Sequence, residues 1–138
     1  MFTALQNPLS LVGRVLLALL FVPSGWSKLN GFAGTVGYIT SKGVPLPELA
    51  AAAGVGVELG LGLLLLVGFQ TRWAALGMAL FTFVISFIFH NFWAVAADQV
   101  MAQQINFFKN MAIVGGLLTV VAWGAGRWSV DGLTHPRR

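Results

Sequence analysis

Long runs of apolar residues, separated by short polar stretches, dominate the pattern along this chain. A helix that crosses a membrane needs about 20 mostly apolar residues. Four segments meet this requirement, at about residues 8–27, 49–69, 73–93 and 107–126. These runs are too long, and alternate too little between polar and apolar residues, to be strands of a membrane β-barrel. The pattern therefore predicts an all-α integral membrane protein, an antiparallel four-helix transmembrane bundle.

The connections between the predicted spans differ in length and in composition. Spans two and three are joined by a tight hairpin at residues 68–72, and spans three and four by a short polar stretch. The longest connection, residues 29–48, is punctuated by glycine and proline. Within it, residues 32–39 are predicted to form either a short helix at the membrane interface or a re-entrant cap. No linker or internal repeat divides the sequence, so residues 1–138 are predicted to form a single domain.

Composition narrows the class of protein further. Hydrophobic residues make up 57% of the 138 residues and charged residues 9%, against about 25% charged in an ordinary soluble domain. A small soluble fold cannot hide so much apolar surface, which excludes a soluble enzyme. The absence of cysteine excludes disulfides, thiolate catalysis and iron–sulfur clusters within the chain. Two histidines give no good metal site, and no basic aromatic groove for nucleic acid is present.

The formal net charge of +4 bears on orientation in the membrane. Four spans place both termini on one side. That side carries Arg72, Arg127, Arg137 and Arg138. The opposite side carries Lys28, Lys42 and Lys109, together with Glu48 and Asp98. Because basic residues gather on the cytoplasmic side, we expect a multi-pass protein with both termini in the cytoplasm.

Ionisable side chains inside the spans are the strongest candidates for function, because they are costly in a membrane and usually face the bundle interior. They are Arg14, Glu58, His90 and Lys109. With a rise of about 1.5 Å per residue, Glu58 lies near mid-membrane and Arg14 in the inner third. Lys28, His90, Lys109 and Asn110 all lie in the outer third. We predict that Glu58 faces the interior, paired or protonated, with Arg14, Lys28, His90 and Lys109 as its candidate partners.

Two interpretations of these polar groups remain open. In the structural one, Arg14 and Glu58 form an ion pair that fixes the bundle, His90 makes a hydrogen bond across helices, and Lys109 extends to the headgroups. In the functional one, Glu58 and His90 are the candidate catalytic residues. The candidate ligand-binding residues are then Arg14, Lys28, Lys109 and Asn110. Any cavity should open toward the outer half of the bundle, where these groups converge.

Several sequence segments resemble the DoxX family of small four-helix bacterial membrane proteins. They are Arg14 in the first span, GWSKLNGF at its outer end, KGVPLP, VELGLGLLLLVGFQTRWAAL, FHNFW and QINFFKNMAIVGGLL, and they cover about 120 residues in family order. The resemblance implies a four-helix fold in the bacterial inner membrane. The family includes a quinone-linked subunit of a thiosulfate oxidoreductase and apparent membrane partners of redox-stress proteins. Related membrane proteins that do thiol chemistry use cysteines, which this chain lacks.

Three functional hypotheses follow, and whether the protein is an enzyme stays open. The first is a quinone-linked redox subunit, in which Glu58 and His90 relay protons and a soluble or membrane redox partner supplies electrons. Quinone is the one candidate cofactor. The second is a non-catalytic membrane scaffold or anchor for a partner protein. The third is a small transporter or lipid-binding protein, for which a bundle of four short helices would need to form a homo-oligomer.

Overall fold

The computed structural model describes residues 2–134, and every regular element in that range is helical. The helices are α1 (Gln6–Asn30), α2 (Phe32–Ser41), α3 (Pro47–Val67), α4 (Thr71–Phe89), α5 (Val100–Trp123) and α6 (Val130–Thr134). Short 3₁₀ turns, Phe2–Leu5 and Phe92–Ala94, precede α1 and follow α4. Arg137 and Arg138, used in the orientation argument above, lie outside the described residues.

The predicted four-span architecture is confirmed. The segments long and apolar enough to cross a membrane are Thr3–Asn30, Pro47–Val67, Thr71–Ala94 and Val100–Trp123. The short helix expected between the first two spans is present as α2. The fourth span begins at Val100 rather than at residue 107, because the polar turn that contains Gln103 and Gln104 continues the helix beyond the apolar run.

The bundle has two different ends. The hairpin end carries the α3–α4 turn at residues 68–70, the start of α1 and the segment that follows α5. The loop end carries α2 and the connection from α4 to α5. Between the two ends, the buried core is formed by Phe21, Leu65, Ala75, Met78, Ala79 and Leu117. Large apolar side chains such as Leu16, Leu80 and Trp123 are exposed on the outside of the bundle, where lipid covers them.

Helices α1 and α3 approach each other closely through glycine. A Cβ atom at Gly25 would lie 2.6 Å from the backbone nitrogen of Leu59, so no larger residue fits without separating the helices. At Gly62 the corresponding atom would lie 3.0 Å from a methyl group of Val22. Small residues at such crossings let membrane helices pack backbone to backbone. The crossing brings the loop end of α1 against the middle of α3.

The middle of α3 is not a regular α-helix. Residues Gly56–Leu61 form a π-helical turn, and Glu58 is a buried residue within it. Single π turns inside helices are rare and occur frequently at functional sites. The α-helical spacing assumed from the sequence therefore does not hold through this turn, and the position of Glu58 has to be taken from the structure.

Candidate ligand-binding site

An ion pair between a buried carboxylate and a partly exposed lysine joins α1 and α3. Glu58 is 4% exposed, and its Oε2 lies 2.6 Å from Nζ of Lys28. The same Nζ donates a hydrogen bond of 2.7 Å to Oγ of Ser24, one turn earlier on α1. The prediction that Glu58 faces the interior and is paired is confirmed. Its partner is Lys28, and Arg14 lies elsewhere in the bundle.

Polar side chains of α4 and α5 lie opposite this pair. The amide of Asn110 donates a hydrogen bond of 3.0 Å to Oγ of Ser86, which in turn donates to the carbonyl oxygen of Thr82 at 2.6 Å. At the end of α4, Nδ1 of His90 lies 2.8 Å from Oε1 of Gln103. An amide oxygen can only accept, so Nδ1 carries the proton in this contact. In neutral His90 the other ring nitrogen, Nε2, is then able to accept a proton.

The two groups of side chains enclose a cavity of about 190 Å³ in the loop-end half of the bundle. Its polar lining consists of Ser24, Lys28, Glu58, Thr82, His90 and Asn110. Its apolar lining consists of Leu20, Phe21, Ile85 and Ile113. A cavity in this half, bounded by Lys28, His90 and Asn110, agrees with the convergence expected from the sequence. Protonatable groups therefore stand beside an apolar wall.

One hydroxyl in this lining has no partner among the described residues. Thr82 is 2% exposed, and its Oγ1 makes no hydrogen bond. A buried polar group left unpaired is costly, and such groups are rare in folded proteins. The hydroxyl has almost no surface accessible from the cavity, so it stays an unpaired polar group inside the bundle.

Two predicted ligand-binding residues do not line the cavity. Lys109 is exposed, and its Nζ donates a hydrogen bond of 3.1 Å to Asn106 on the same helix. Arg14 is 1% exposed and lies at the hairpin end of α1. Depth in the membrane, estimated from sequence position, puts Lys109 at the level of the cavity and puts Arg14 in the other half of the bundle. The direction of a side chain around its helix depends on how that helix packs.

Arg14 instead connects three segments of backbone. Its Nη1 donates hydrogen bonds to the carbonyl oxygens of Leu65 (3.0 Å) and Leu66 (2.8 Å), and its Nη2 donates to that of Trp128 (2.6 Å). Leu65 and Leu66 lie in the last turn of α3, whose carbonyl groups have no helical partner. A cation there also interacts favourably with the helix dipole. Arg14 thus stabilises the hairpin end.

The segment after α5 closes the same end. The carboxylate of Asp131 accepts hydrogen bonds of 2.9 Å from the backbone nitrogens of Gln70 and Thr71, which caps the start of α4. The backbone nitrogen of Asp131 donates to the carbonyl oxygen of Gly68 at 2.8 Å. Gly68 has φ +74°, and a Cβ there would lie 2.7 Å from Nη1 of Arg14. Hairpin, Arg14 and the segment after α5 are therefore packed together without spare room.

Sequence reasoning missed two polar residues near the cavity. Ser24 lies four residues before Lys28, a spacing that puts both on one helix face, and this signal was available. Gln103 belongs to a stretch interpreted as a loop, so nothing indicated its contact with His90. Within residues 2–134, no group of three His, Asp or Glu side chains is arranged to hold a metal ion.

Comparison with known proteins agrees with the resemblance in the sequence. The DoxX family model matches residues 9–91, and the SURF4 family model matches residues 54–135. Inner membrane protein YphA of Escherichia coli K12 is 37% identical over 130 residues, which cover 94% of this chain and 93% of that protein. Inner membrane protein YqjF of the same organism is 39% identical over 127 residues, 92% of each chain.

A more distant similarity is confined to part of the chain. The Surfeit locus protein 4 homolog of Schizosaccharomyces pombe is 34% identical over 70 residues, which cover 49% of this chain and 23% of that protein. No solved structure matches. The match of the DoxX model to more than half the chain, and the relatives matched over nearly their whole length, show that the chain is an integral membrane protein of the DoxX family.

Proposed function

We propose that the protein is a quinone-linked redox subunit of the bacterial inner membrane, acting with a partner protein that supplies electrons. The observation that carries the proposal is the cavity at the loop end, where Glu58, Lys28 and His90 face an apolar wall inside the bundle. Reduction of a quinone to a quinol takes up two electrons and two protons. A quinone site therefore needs protonatable groups beside a flat apolar slot.

Several polar groups of the lining have a role under this proposal. The amide of Asn110 is a hydrogen-bond donor for a carbonyl oxygen. His90 lies near the surface at the loop end and exchanges protons with water, and the Lys28–Glu58 pair passes protons within the cavity. The chain has no cysteine for thiol redox chemistry, and under this proposal both electrons come from a redox cofactor of a soluble or membrane partner.

The proposed location and orientation rest on two observations. The relatives that match nearly the whole chain are named inner membrane proteins. Arg72 and Arg127 lie at the hairpin end, whereas Lys28, Lys42 and Lys109 lie toward the loop end. With Arg137 and Arg138 added from the sequence, the arginines favour a cytoplasmic hairpin end. The cavity then lies in the half of the membrane away from the cytoplasm.

The test combines ligand extraction with binding. The protein is purified from bacterial membranes in a mild detergent, extracted with organic solvent and analysed for quinones. Binding of a decyl-substituted benzoquinone is then measured for wild type, Glu58→Gln and His90→Ala, with Lys109→Ala as the control outside the cavity. We expect a quinone in the extract and weaker binding in both cavity variants but not in the control. Absence of quinone from the extract together with no saturable binding would contradict the proposal.

A second candidate function is a non-catalytic scaffold. The observation that favours it is that Glu58 and Arg14 both make contacts that tie separate parts of the bundle together. Under this alternative, a partner protein co-purifies in stoichiometric amount without any quinone. Glu58→Gln then lowers thermal stability or partner binding, and no quinone-dependent turnover exists to be changed.

A further inference from the structure

A second, larger cavity lies on the side of the bundle where α1 faces α5. It is a groove of about 440 Å³ in the hairpin-end half. Its α1 wall includes Leu9, Gly13, Leu16 and Leu17, and its α5 wall includes Gly116, Val120 and Trp123. Leu9, Leu16 and Trp123 are each at least 60% exposed, so the groove opens sideways into the lipid.

The groove and the polar cavity lie along one line between the same two helices. On α1, the residues that line either of them include Leu9, Gly13, Leu17, Leu20, Ser24 and Lys28. On α5, they include Asn110, Ile113, Gly116, Val120 and, just after the helix, Gly124. Successive positions differ by three or four residues, which is the spacing of a single helix face. We call this pair of facing helix surfaces, which carries both cavities, the α1–α5 seam.

Leu17 and Gly116 lie where the groove approaches the polar cavity. A Cβ atom at Gly116 would lie 3.8 Å from Cδ2 of Leu17, which is an ordinary van der Waals contact. One helical turn toward the loop end, Phe21 and Ile113 line the polar cavity. A ligand that reaches both cavities therefore has to displace the side chain of Leu17, which a change of rotamer allows.

We infer that the α1–α5 seam binds one amphiphile with a long apolar chain, whose polar head lies in the cavity at the loop end and whose chain lies in the groove. The inference rests on the proposed function, because a quinone with an isoprenoid chain is an amphiphile of this kind. A fatty acid also combines a polar head with a long apolar chain. Two observations support a single long ligand: Ser24, Lys28 and Asn110 give the head cavity a polar lining, and the residues that line the groove follow along the same faces of α1 and α5.

The dimensions agree with a chain rather than with a second compact ligand. From Leu17 to Leu9 the groove runs along eight residues of α1, or about 12 Å at a rise of about 1.5 Å per residue. From Phe21 to Gly13 the distance is about 12 Å, close to the length of a decyl chain. A ligand with such a chain reaches past Leu17 into the groove, whereas a head group alone does not.

Glycine positions provide substitutions that fill the groove. Gly13 lines the groove and a Cβ there would have no atom within 4 Å, so we expect Gly13→Leu to place its side chain in the groove. Gly116→Leu blocks the junction beside Leu17. Gly115 is the matched control, because it also has open space around a Cβ and lies next to Gly116, but it does not line the seam.

The experiment compares a decyl-substituted benzoquinone with the same benzoquinone without the chain, bound to protein in lipid nanodiscs. One buried methylene changes affinity about fourfold. Filling the groove should therefore weaken binding of the decyl compound by about tenfold or more in Gly13→Leu. Gly116→Leu should also weaken binding of the decyl compound by about tenfold or more. Affinity for the compound without the chain should not change in Gly13→Leu, and Gly115→Leu should behave as wild type.

A spin-labelled palmitate, measured on the same variants, separates this inference from the proposed function. If palmitate binds with the same dependence on Gly13 and no quinone binds, the seam holds a fatty chain and the quinone proposal fails. If the decyl compound binds equally well to wild type, Gly13→Leu and Gly116→Leu, the seam inference is overturned while the quinone proposal stands. If neither ligand binds wild type, both are wrong.

Discussion

Replacement of Arg14 by methionine is the sharpest test of how the hairpin end is held together. The substitution keeps an unbranched chain in the same space but removes the three hydrogen bonds to the carbonyl groups of Leu65, Leu66 and Trp128. Side-chain hydrogen bonds inside membrane bundles contribute about 0.6 to 2 kcal/mol each, and bonds to charged groups about 1.5 to 3 kcal/mol. Three bonds lost together should lower the free energy of unfolding by about 2 to 5 kcal/mol.

Arg14→Lys separates the effect of charge from the effect of shape. A lysine keeps the positive charge, but its single nitrogen cannot serve both the α3 carbonyls and Trp128, which the two guanidinium nitrogens reach separately. We expect it to lose about 1 to 2 kcal/mol, between wild type and Arg14→Met. Arg72→Met, at an exposed position of the same end, is the control and should change stability by less than about 0.5 kcal/mol.

The assay is reversible unfolding in mixed detergent micelles, followed by circular dichroism, with the midpoint and slope measured for all four proteins. Equal stability of wild type and Arg14→Met would refute the reasoning, because it would mean that the carbonyl groups find other partners at no cost. Equal stability of the lysine and methionine variants would show that the fork geometry of arginine, rather than its charge, carries the whole effect.

Three further predictions concern other contacts. Lys28→Met should lower the free energy of unfolding, because it leaves the Glu58 carboxylate buried and unpaired. The double variant Lys28→Met/Glu58→Met should recover most of that free energy in the same unfolding assay. A double variant as unstable as Lys28→Met would contradict this. Asp131→Ala should cost about 1 kcal/mol through loss of the α4 cap, seen as a lower melting temperature, and no change would show that the cap is dispensable. Single cysteines introduced at Gln70 and Gly43 into this cysteine-free chain should react with a membrane-impermeant thiol reagent from opposite sides of the membrane; labelling from the same side would overturn the four-span topology.

The sequence contains enough information for the number of spans and for the depth of most polar groups. Apolar run length predicts the four helices, and a fixed rise per residue places Lys28, His90 and Asn110 at one level. The rotation of each helix about its axis is set by packing. That is why the structure turns Lys109 away from the cavity, and why the π turn at Glu58 could not be anticipated from α-helical spacing.

The partners of Arg14 were beyond sequence reasoning for a different reason. They are backbone carbonyl groups, which every residue carries and which no side-chain pattern marks. A buried arginine in a membrane span suggests a carboxylate partner, and Glu58 was the acidic residue nearest the centre of a span. The structure shows instead that Nη1 and Nη2 of Arg14 donate to carbonyl groups at the end of α3 and in the segment after α5, while its Nε has no partner among the described residues.

The contact between Arg14 and Trp128 also has a consequence for how the protein is made. The two residues are 114 positions apart, and the first span enters the membrane long before the ribosome reaches the second residue. At about 5 to 20 residues per second, this interval is roughly 6 to 20 s. For that time the guanidinium of a nascent span lacks one of its acceptors, and water or lipid phosphate must solvate it. Final closure of the hairpin end is therefore a late step of biogenesis, completed only after the segment following α5 has been synthesised.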